Sequence, residues 1–517
     1  MLFLVFIIQI SYMTFYSTDV SPLTYREQVS RRNIPSRTPL VEVKGHQLRS
    51  QVKSGGLSFA IHLPYGTVFR QQNMFSACVS VVLFLFFNNW MCDASTGPSH
   101  GKLVVCYLGS WAVYRPDRGA FTIEHLDPSL CTHVIYSFTG LDITQDSLRS
   151  LDVYQDLTED YGKGGFKRVT ALKHKYPHLK VTLAVGGWNE GSANYSKLVA
   201  DPHRRSRFVA NSLDFIKKYN FDGLDLDWEF PGKRGGSKED KTNFLLLVKE
   251  LRAAYRKDKL LLTAAFGAGK DTIDIAYDVE ALSVYLDYIH MMCYDYHGAW
   301  DKRTGANSPL KGPDVLNVEF TINYMLSLGA PANKLVLGIP VYGRTFILEE
   351  PLQSRRKPRL GSVASNLGFA GPYTREGGFL GYNEICKELK NKTSDWKIYW
   401  DDESRTPFAV SENKVISYDN EQSIAEKVHF AMEKDLAGTM VWSVDTDDFL
   451  GDCSEEDNED FVNFPIMRCI NKSIVKSLND LKNTIRHDRK NKDGGSDKVR
   501  FSVLGLVVVL FCSYYII

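Results

Sequence analysis

Residues 221–231 read FDGLDLDWEFP, which sets four acids, Asp222, Asp225, Asp227 and Glu229, among the Phe, Leu and Trp of a core strand. Asp225, Asp227 and Glu229 recur with a period of two. In an extended chain that places all three on one face, about 6–7 Å apart. Carboxylates are seldom buried without a partner, so two readings compete. One is a surface strand with a solvated acidic face. The other is an acid cluster in a cleft, where like charges raise one another's pKa and one carboxyl stays protonated near neutral pH, the state a general acid needs. Leu224, Leu226 and Trp228 at the alternate positions favour the cleft, because a solvated edge has no use for a fully apolar reverse side.

A rigid element must aim such acids. Between residues 101 and 475 short β-branched or apolar runs alternate with longer segments of helical period. The runs are 102–109, 132–138, 180–187, 221–229, 259–266, 287–295, 334–341 and 438–444. The segments between them, such as RRSRFVANSLDFIKKY, have apolar residues at helical spacing and basic last turns. Eight such units predict an α/β fold, a closed (β/α)8 TIM barrel spanning 95–475. An open doubly wound sheet is the alternative, but no GxGxxG fingerprint follows any run. The seventh and eighth runs are separated by too long a stretch for a connection, so 343–426 is read as a small α+β insertion domain beside the barrel mouth.

Active sites in such barrels form at the C-terminal strand ends. The first run ends near Tyr107 and Trp111, the second at Phe138 and the third at Gly187-Trp188. The sixth ends Met292-x-Tyr294-Asp295, the seventh leads to Tyr342-x-Arg344, and the eighth carries Trp442. A single tryptophan is most often core, but Trp111, Trp188, Trp300 and Trp442 all fall at or just past run ends. Aromatic faces flanked by acids suit sugar rings, which stack through C–H faces and hydrogen-bond through hydroxyls and amides.

DGLDLDWE resembles the DxxDxDxE signature of glycoside hydrolase family 18, the chitinases and their lectin-like relatives. MCYD (292–295) resembles its MxYD element and AVGGW (184–188) its SxGG element, with Ala184 where Ser is common. The likeness covers roughly 102–470 and is greatest to arthropod chitinases; SRRKPRLGSV in the insertion departs from the family's glycine-rich pattern. It implies an endo-acting chitinase that cuts β-1,4-linked N-acetylglucosamine polymers, with the substrate's own acetamido oxygen as nucleophile and net retention. Glu229 is then the general acid, its pKa raised by Asp227. Asp227 turns to the acetamido N–H, Asp225 shares a proton with Asp227, Tyr294 donates to the acetamido oxygen, and Trp442 floors the central sugar site. Tyr107, Phe138, Trp111, Gly187, Trp188, Met292, Asp295, Trp300, Tyr342 and Arg344 are expected to contact substrate, and Asp222 to be structural. The family pairs cysteines at the positions of Cys106 with Cys131 and Cys386 with Cys453. No cofactor and no metal is called for. A lectin-like relative that binds without turnover is the alternative, as is a tethered matrix-organising protein; the lectin-like members typically lose the acid, which Glu229 retains.

The chain has 517 residues, 44% hydrophobic and 24% charged, enough for one large core or two smaller ones. A net charge of +1 leaves no electrostatic footprint for nucleic acid, and the expected partner is chitin or chito-oligosaccharide, met by a monomer. Sequons at Asn194, Asn391 and Asn471 point to the secretory route and an extracellular or cell-surface protein. Residues 74–94 read as a signal peptide with Met74 as initiator or as a signal anchor, which leaves 1–73 an extension of doubtful status; MLFLVFIIQI at the start is a third candidate signal. A polar stalk, 476–500, leads to the apolar 501–517, read as a lipid-anchor signal or a span that holds the protein at a membrane. No six-cysteine chitin-binding module follows the barrel, which predicts weak retention on insoluble chitin.

Overall fold

The computed structural model describes residues 96–350, 358–454 and 462–493, with side chains to residue 484. The extension 1–73, the signal-like 74–94, the tail 501–517 and residues 354–357 of SRRKPRLGSV lie outside the described residues.

Eight parallel strands close into a barrel. They are β1 (Leu103–Gly109), β2 (His133–Asp142), β4 (Lys180–Gly186), β5 (Gly223–Asp227), β6 (Leu261–Gly267), β7 (Tyr288–Met292), β8 (Leu335–Pro340) and β14 (Gly438–Trp442), each paired with the next and β14 paired back to β1. All eight expected runs are strands. They are apolar on both sides because helices cover the outside and side chains fill the inside. In β1, Val104, Cys106 and Leu108 join the layer under the helices, while Val105 and Tyr107 fill the barrel with Ile135, Ala184, Val336 and Met440. In β5 the same alternation sends Leu224 and Leu226, and Trp228 beyond them, outward into the helix layer. Asp225 and Asp227 take the other face.

β2 runs past Phe138 to Asp142 and turns back antiparallel into β3 (Ser147–Ser150), an extension not read from the second run. Between β8 and β14 lies a five-stranded antiparallel sheet, order β10-β9-β13-β12-β11, built of β9 (Tyr342–Ile347), β10 (Phe379–Gly381), β11 (Lys397–Asp401), β12 (Thr406–Ser411) and β13 (Lys414–Ser417), with a helix at Tyr382–Lys390. The expected boundary at 426 falls inside helix Glu421–Glu433. Ile424, Val428 and Ala431 of that helix pack into the barrel's outer core, so it serves the barrel rather than the insertion. The expected change from barrel to stalk at 475–476 also falls inside one helix, Pro465–Asp493, where Ser477 is still buried.

Disulfides join Cys106 to Cys131, tying β1 to the approach to β2, and Cys386 to Cys453, tying the insertion's helix to the segment after β14. Cys293 is a buried free thiol and Cys469 is also free. Asn194 and Asn391 are exposed. Asn471 differs: its Nδ2 donates to the carbonyls of Leu130 (3.1 Å) and Met467 (3.0 Å), and its Oδ1 lies 3.1 Å from His100 Nε2, so no N–H is left for a glycan. No helix among the described residues is long and apolar enough to cross a membrane.

Candidate active site

The acids occupy graded environments along one strand. Asp222 sits before β5 begins, where its Oδ2 accepts from the Val181 amide at 2.8 Å and its Oδ1 pairs with Lys173 at 3.2 Å. It joins neighbouring elements and stands apart from the cleft. Asp225 is fully buried and fully partnered. Tyr107 donates to its Oδ2 at 2.6 Å, Thr263 donates to its Oδ1 at 2.5 Å, and His290 Nδ1 lies 3.1 Å away. Register explains the arrangement, since Thr263 on β6 stands directly beside Asp225 on β5.

Asp227 is buried too, yet its Oδ1 has no hydrogen-bond partner among the described residues. Burial, then the charges of Glu229 and Asp225, push its pKa well above the carboxylate range. Glu229 lies two residues on, past the end of the strand. Burial raises its pKa to about 7; Arg234 opposes the shift and Asp295 adds to it. The like charge between Glu229 and Asp227 couples the two, and it helps to raise the pKa of Asp227.

Tyr294 follows β7 with its hydroxyl proton held far above its ordinary range by burial. That hydroxyl finds only the Met440 sulfur, at 3.9 Å, among the described residues. An unmet donor and an unmet acceptor thus face one site lined by Met292 and Trp442. Trp442 leans on Tyr107 (5.6 Å between ring centres), Phe138 (5.7 Å) and Trp111 (6.1 Å), and Trp111 stacks on Phe138 at 5.9 Å. Glycines let the backbone close here. Gly186, at φ +122°, has a position for Cβ only 2.0 Å from the Asp227 carbonyl, and Gly187, at φ +85°, presses on the Phe138 ring while donating to that same carbonyl at 2.8 Å.

The insertion sheet supplies the opposite side. Tyr342 and Arg344, both on β9, donate to Asp295 Oδ1 at 2.7 Å each, and the Arg344 guanidinium lies 5.1 Å from the Trp300 ring centre. Trp188 makes no ring contact with the Trp442 cluster; the Arg234 guanidinium covers it at 3.5 Å and donates to the carbonyls of Trp188 (2.8 Å) and Glu229 (3.0 Å). Thr263, His290, Arg234 and Met440 were not read from the sequence. The signal for the first two was a polar residue at an inward position of an otherwise apolar run. A separate cavity of about 680 Å3, lined in part by Arg405, Glu426, His429 and Asp480, contains none of these groups.

The arrangement is a protonated carboxyl beside a cleft floored by aromatic rings, which fits acid-assisted cleavage of a glycosidic bond. "Probable chitinase 2" of Drosophila melanogaster is 51% identical over 453 residues, covering 81% of this chain and 92% of that protein. The crystal structure of Ostrinia furnacalis Group IV chitinase in complex with allosamidin has 42% identity and a TM-score of 0.68, covering 73% of this chain and 99% of that one. Human YKL-39, a pseudo-chitinase with retained chitooligosaccharide binding properties, has 35% identity and a TM-score of 0.64 over 72% of this chain and 99% of its own. The description of the glycosyl hydrolases family 18 matches residues 103–447. With that match over two thirds of its length, and with the acids of the signature gathered at one barrel mouth, this chain belongs to glycosyl hydrolase family 18 and is a glycoside hydrolase.

Proposed function

We propose that this protein is a chitinase that hydrolyses internal β-1,4 linkages of N-acetylglucosamine polymers with retention, the substrate's acetamido oxygen acting as nucleophile. One observation carries the reading. The cleft holds one unmet donor, the Tyr294 hydroxyl, and one unmet acceptor, Asp227 Oδ1. An acetamido group offers the complement of each, a carbonyl oxygen and an N–H.

In this reading Glu229 gives its proton to the glycosidic oxygen as the bond to the anomeric carbon breaks. The acetamido oxygen forms the new bond to that carbon, held by the Tyr294 hydroxyl, while its N–H donates to Asp227. Glu229, now a carboxylate, takes a proton from water as the oxygen of that water attacks the same carbon and the bond from that carbon to the acetamido oxygen breaks, which restores the acetamido group. Asp225, held by Tyr107 and Thr263, fixes the resting geometry. Trp442 floors the reacting sugar, and Trp188 and Trp300 meet sugars to either side of it. The two disulfides fit an oxidising compartment, and we infer an extracellular monomer carrying glycans at Asn194 and Asn391, with 501–517 as its hold on the membrane.

The test is hydrolysis of soluble chito-oligosaccharides by the protein and its Glu229→Gln variant. Turnover in the parent, lost by roughly 10²–10⁴-fold in the variant, supports the reading. Tight binding by both with no turnover by either overturns it and leaves a binding protein like the human pseudo-chitinase.

A further inference from the structure

Six of the sixteen exposed large apolar side chains among the described residues, Trp111, Tyr114, Leu151, Val153, Tyr154 and Tyr161, belong to two neighbouring segments at one side of the barrel mouth. Trp111 opens the series in the cleft, stacked on Phe138. Tyr114 is three residues on in the 3-10 helix Ser110–Tyr114, a spacing that projects both rings to the same side. Its hydroxyl donates to Asp152 Oδ2 at 2.6 Å, joining the first segment to the second. The second segment starts at the rim as well, because Ser150, the last residue of β3, pairs with Thr139, the neighbour of Phe138. From there Leu151, Val153 and Tyr154 continue outward, and the Lys163 amide donates to the Tyr154 carbonyl at 2.6 Å, which brings the 159–163 turn alongside. Tyr161 at its tip is 98% exposed.

Packing does not account for that tip. Asp160 and Tyr161 both have left-handed backbone, φ +51° and φ +62°, a conformation unfavourable for such residues. No core contact of the ring offsets it. Isolated exposed apolar residues need no explanation, but a contiguous group rimmed by polar atoms marks a contact surface. Asp152 and the Lys163 ammonium, 5.5 Å from the Tyr154 ring centre, supply polar partners between the rings.

We propose that this shelf is a second, non-catalytic contact for insoluble chitin, which seats the face of a polymer outside the cleft. The inference rests on the chitinase reading for the identity of the glycan, and its occupant follows from continuity. The two segments join the aromatic floor of the cleft through the stack of Trp111 on Phe138 and through the Tyr114–Asp152 bond, and their edges carry hydrogen-bonding groups that suit an uncharged polymer of hydroxyls and acetamides. It runs against the weak retention on insoluble chitin expected from the sequence.

The test uses the full-length chain with Glu229→Gln, with and without Tyr154→Ala/Tyr161→Ala, incubated with β-chitin powder and read as the partition between pellet and supernatant. In parallel the active chain with and without the same pair is assayed on a soluble tetrasaccharide. The proposal expects partition onto the powder to fall about tenfold while soluble turnover is unchanged. Partition unaffected by the pair overturns it, and so does an equal loss on powder and on tetrasaccharide, which would signal a general defect. Should no chain cleave the tetrasaccharide, the chitinase reading fails, yet the partition still decides whether the shelf binds the polymer.

Discussion

In the proposed mechanism Glu229 can serve as the acid because burial holds its proton to higher pH. Burial raises its pKa from 4.5 to about 7, and the nearest opposing influence is the Arg234 guanidinium. The proposed mechanism needs the acid form for leaving-group departure, so kcat/KM should fall as pH rises through about 7. Arg234→Met removes a charge that favours the carboxylate and should move that limb to higher pH; a pH–rate profile of both proteins checks it. The same burial has a cost in stability. A carboxyl whose pKa is raised by folding contributes fully below about pH 4.5, and its contribution is lost as pH climbs through about 7. Glu229→Gln removes the penalty of charging that site. Above pH 8 the variant should therefore be more stable than the parent, by about 3 kcal/mol, while nearly inactive. Denaturant unfolding at pH 5 and pH 8.5 measures this, and an equal effect at both pH values sinks the argument.

At the scale of elements, the aromatic floor depends on a lock between two loops. Asp445, three residues past Trp442, is fully buried. Its Oδ1 accepts from the Gly109 amide at 2.8 Å and its Oδ2 from Arg115 at 2.7 Å, while Arg115 also donates to the Asp445 carbonyl at 2.8 Å. These bonds clamp the Trp111 turn against the end of β14. Asp445→Ala leaves Arg115 largely buried without its partner, which costs about 3–5 kcal/mol. At temperatures where the variant stays folded, KM for long oligosaccharides should rise more than KM for short ones, since Trp111 loses its support. A uniform change across chain lengths would argue against the lock.

For the whole molecule, the disulfides divide the work of restraining the chain. Cys106–Cys131 closes a short span of 25 residues and Cys386–Cys453 one of 67, which reaches from the insertion past β14. Each restricts the unfolded chain by an amount that grows with loop length, typically about 2–4 kcal/mol. Replacing Cys386 and Cys453 by Ser should thus lower stability by about 1 kcal/mol more than replacing Cys106 and Cys131. Unfolding midpoints of the two double variants, compared with the parent, test it. The insertion also contributes directly to the site, because β9 begins at Tyr342 and carries Arg344, whose bonds to Asp295 set one side of the cleft.

Local spacing was enough to read the eight strands and the face on which the acids stand, because a period of two in an apolar run has one structural meaning in a covered sheet. Part of the cleft was legible for the same reason: Tyr107, Phe138, Tyr294 and Trp442, which the structure brings together, stand as chemistry placed at strand ends. Three matters were not. Element boundaries at 426 and 475 were misplaced, since the packing of Ile424, Val428 and Ser477 extends those helices beyond where composition changes. The partners of Asp225 come from strands 38 and 65 residues away, and nothing local links Thr263 or His290 to it. Nor could the spacing of acids say which keeps its proton. That depends on solvent exclusion and on charges brought from other elements: Asp295 and Arg234 act on Glu229, while Asp225, saturated with donors, leaves Asp227 with a free oxygen. Periodicity along the chain sets which way a side chain points, but electrostatics sum over neighbours in space, and only folding brings those neighbours together.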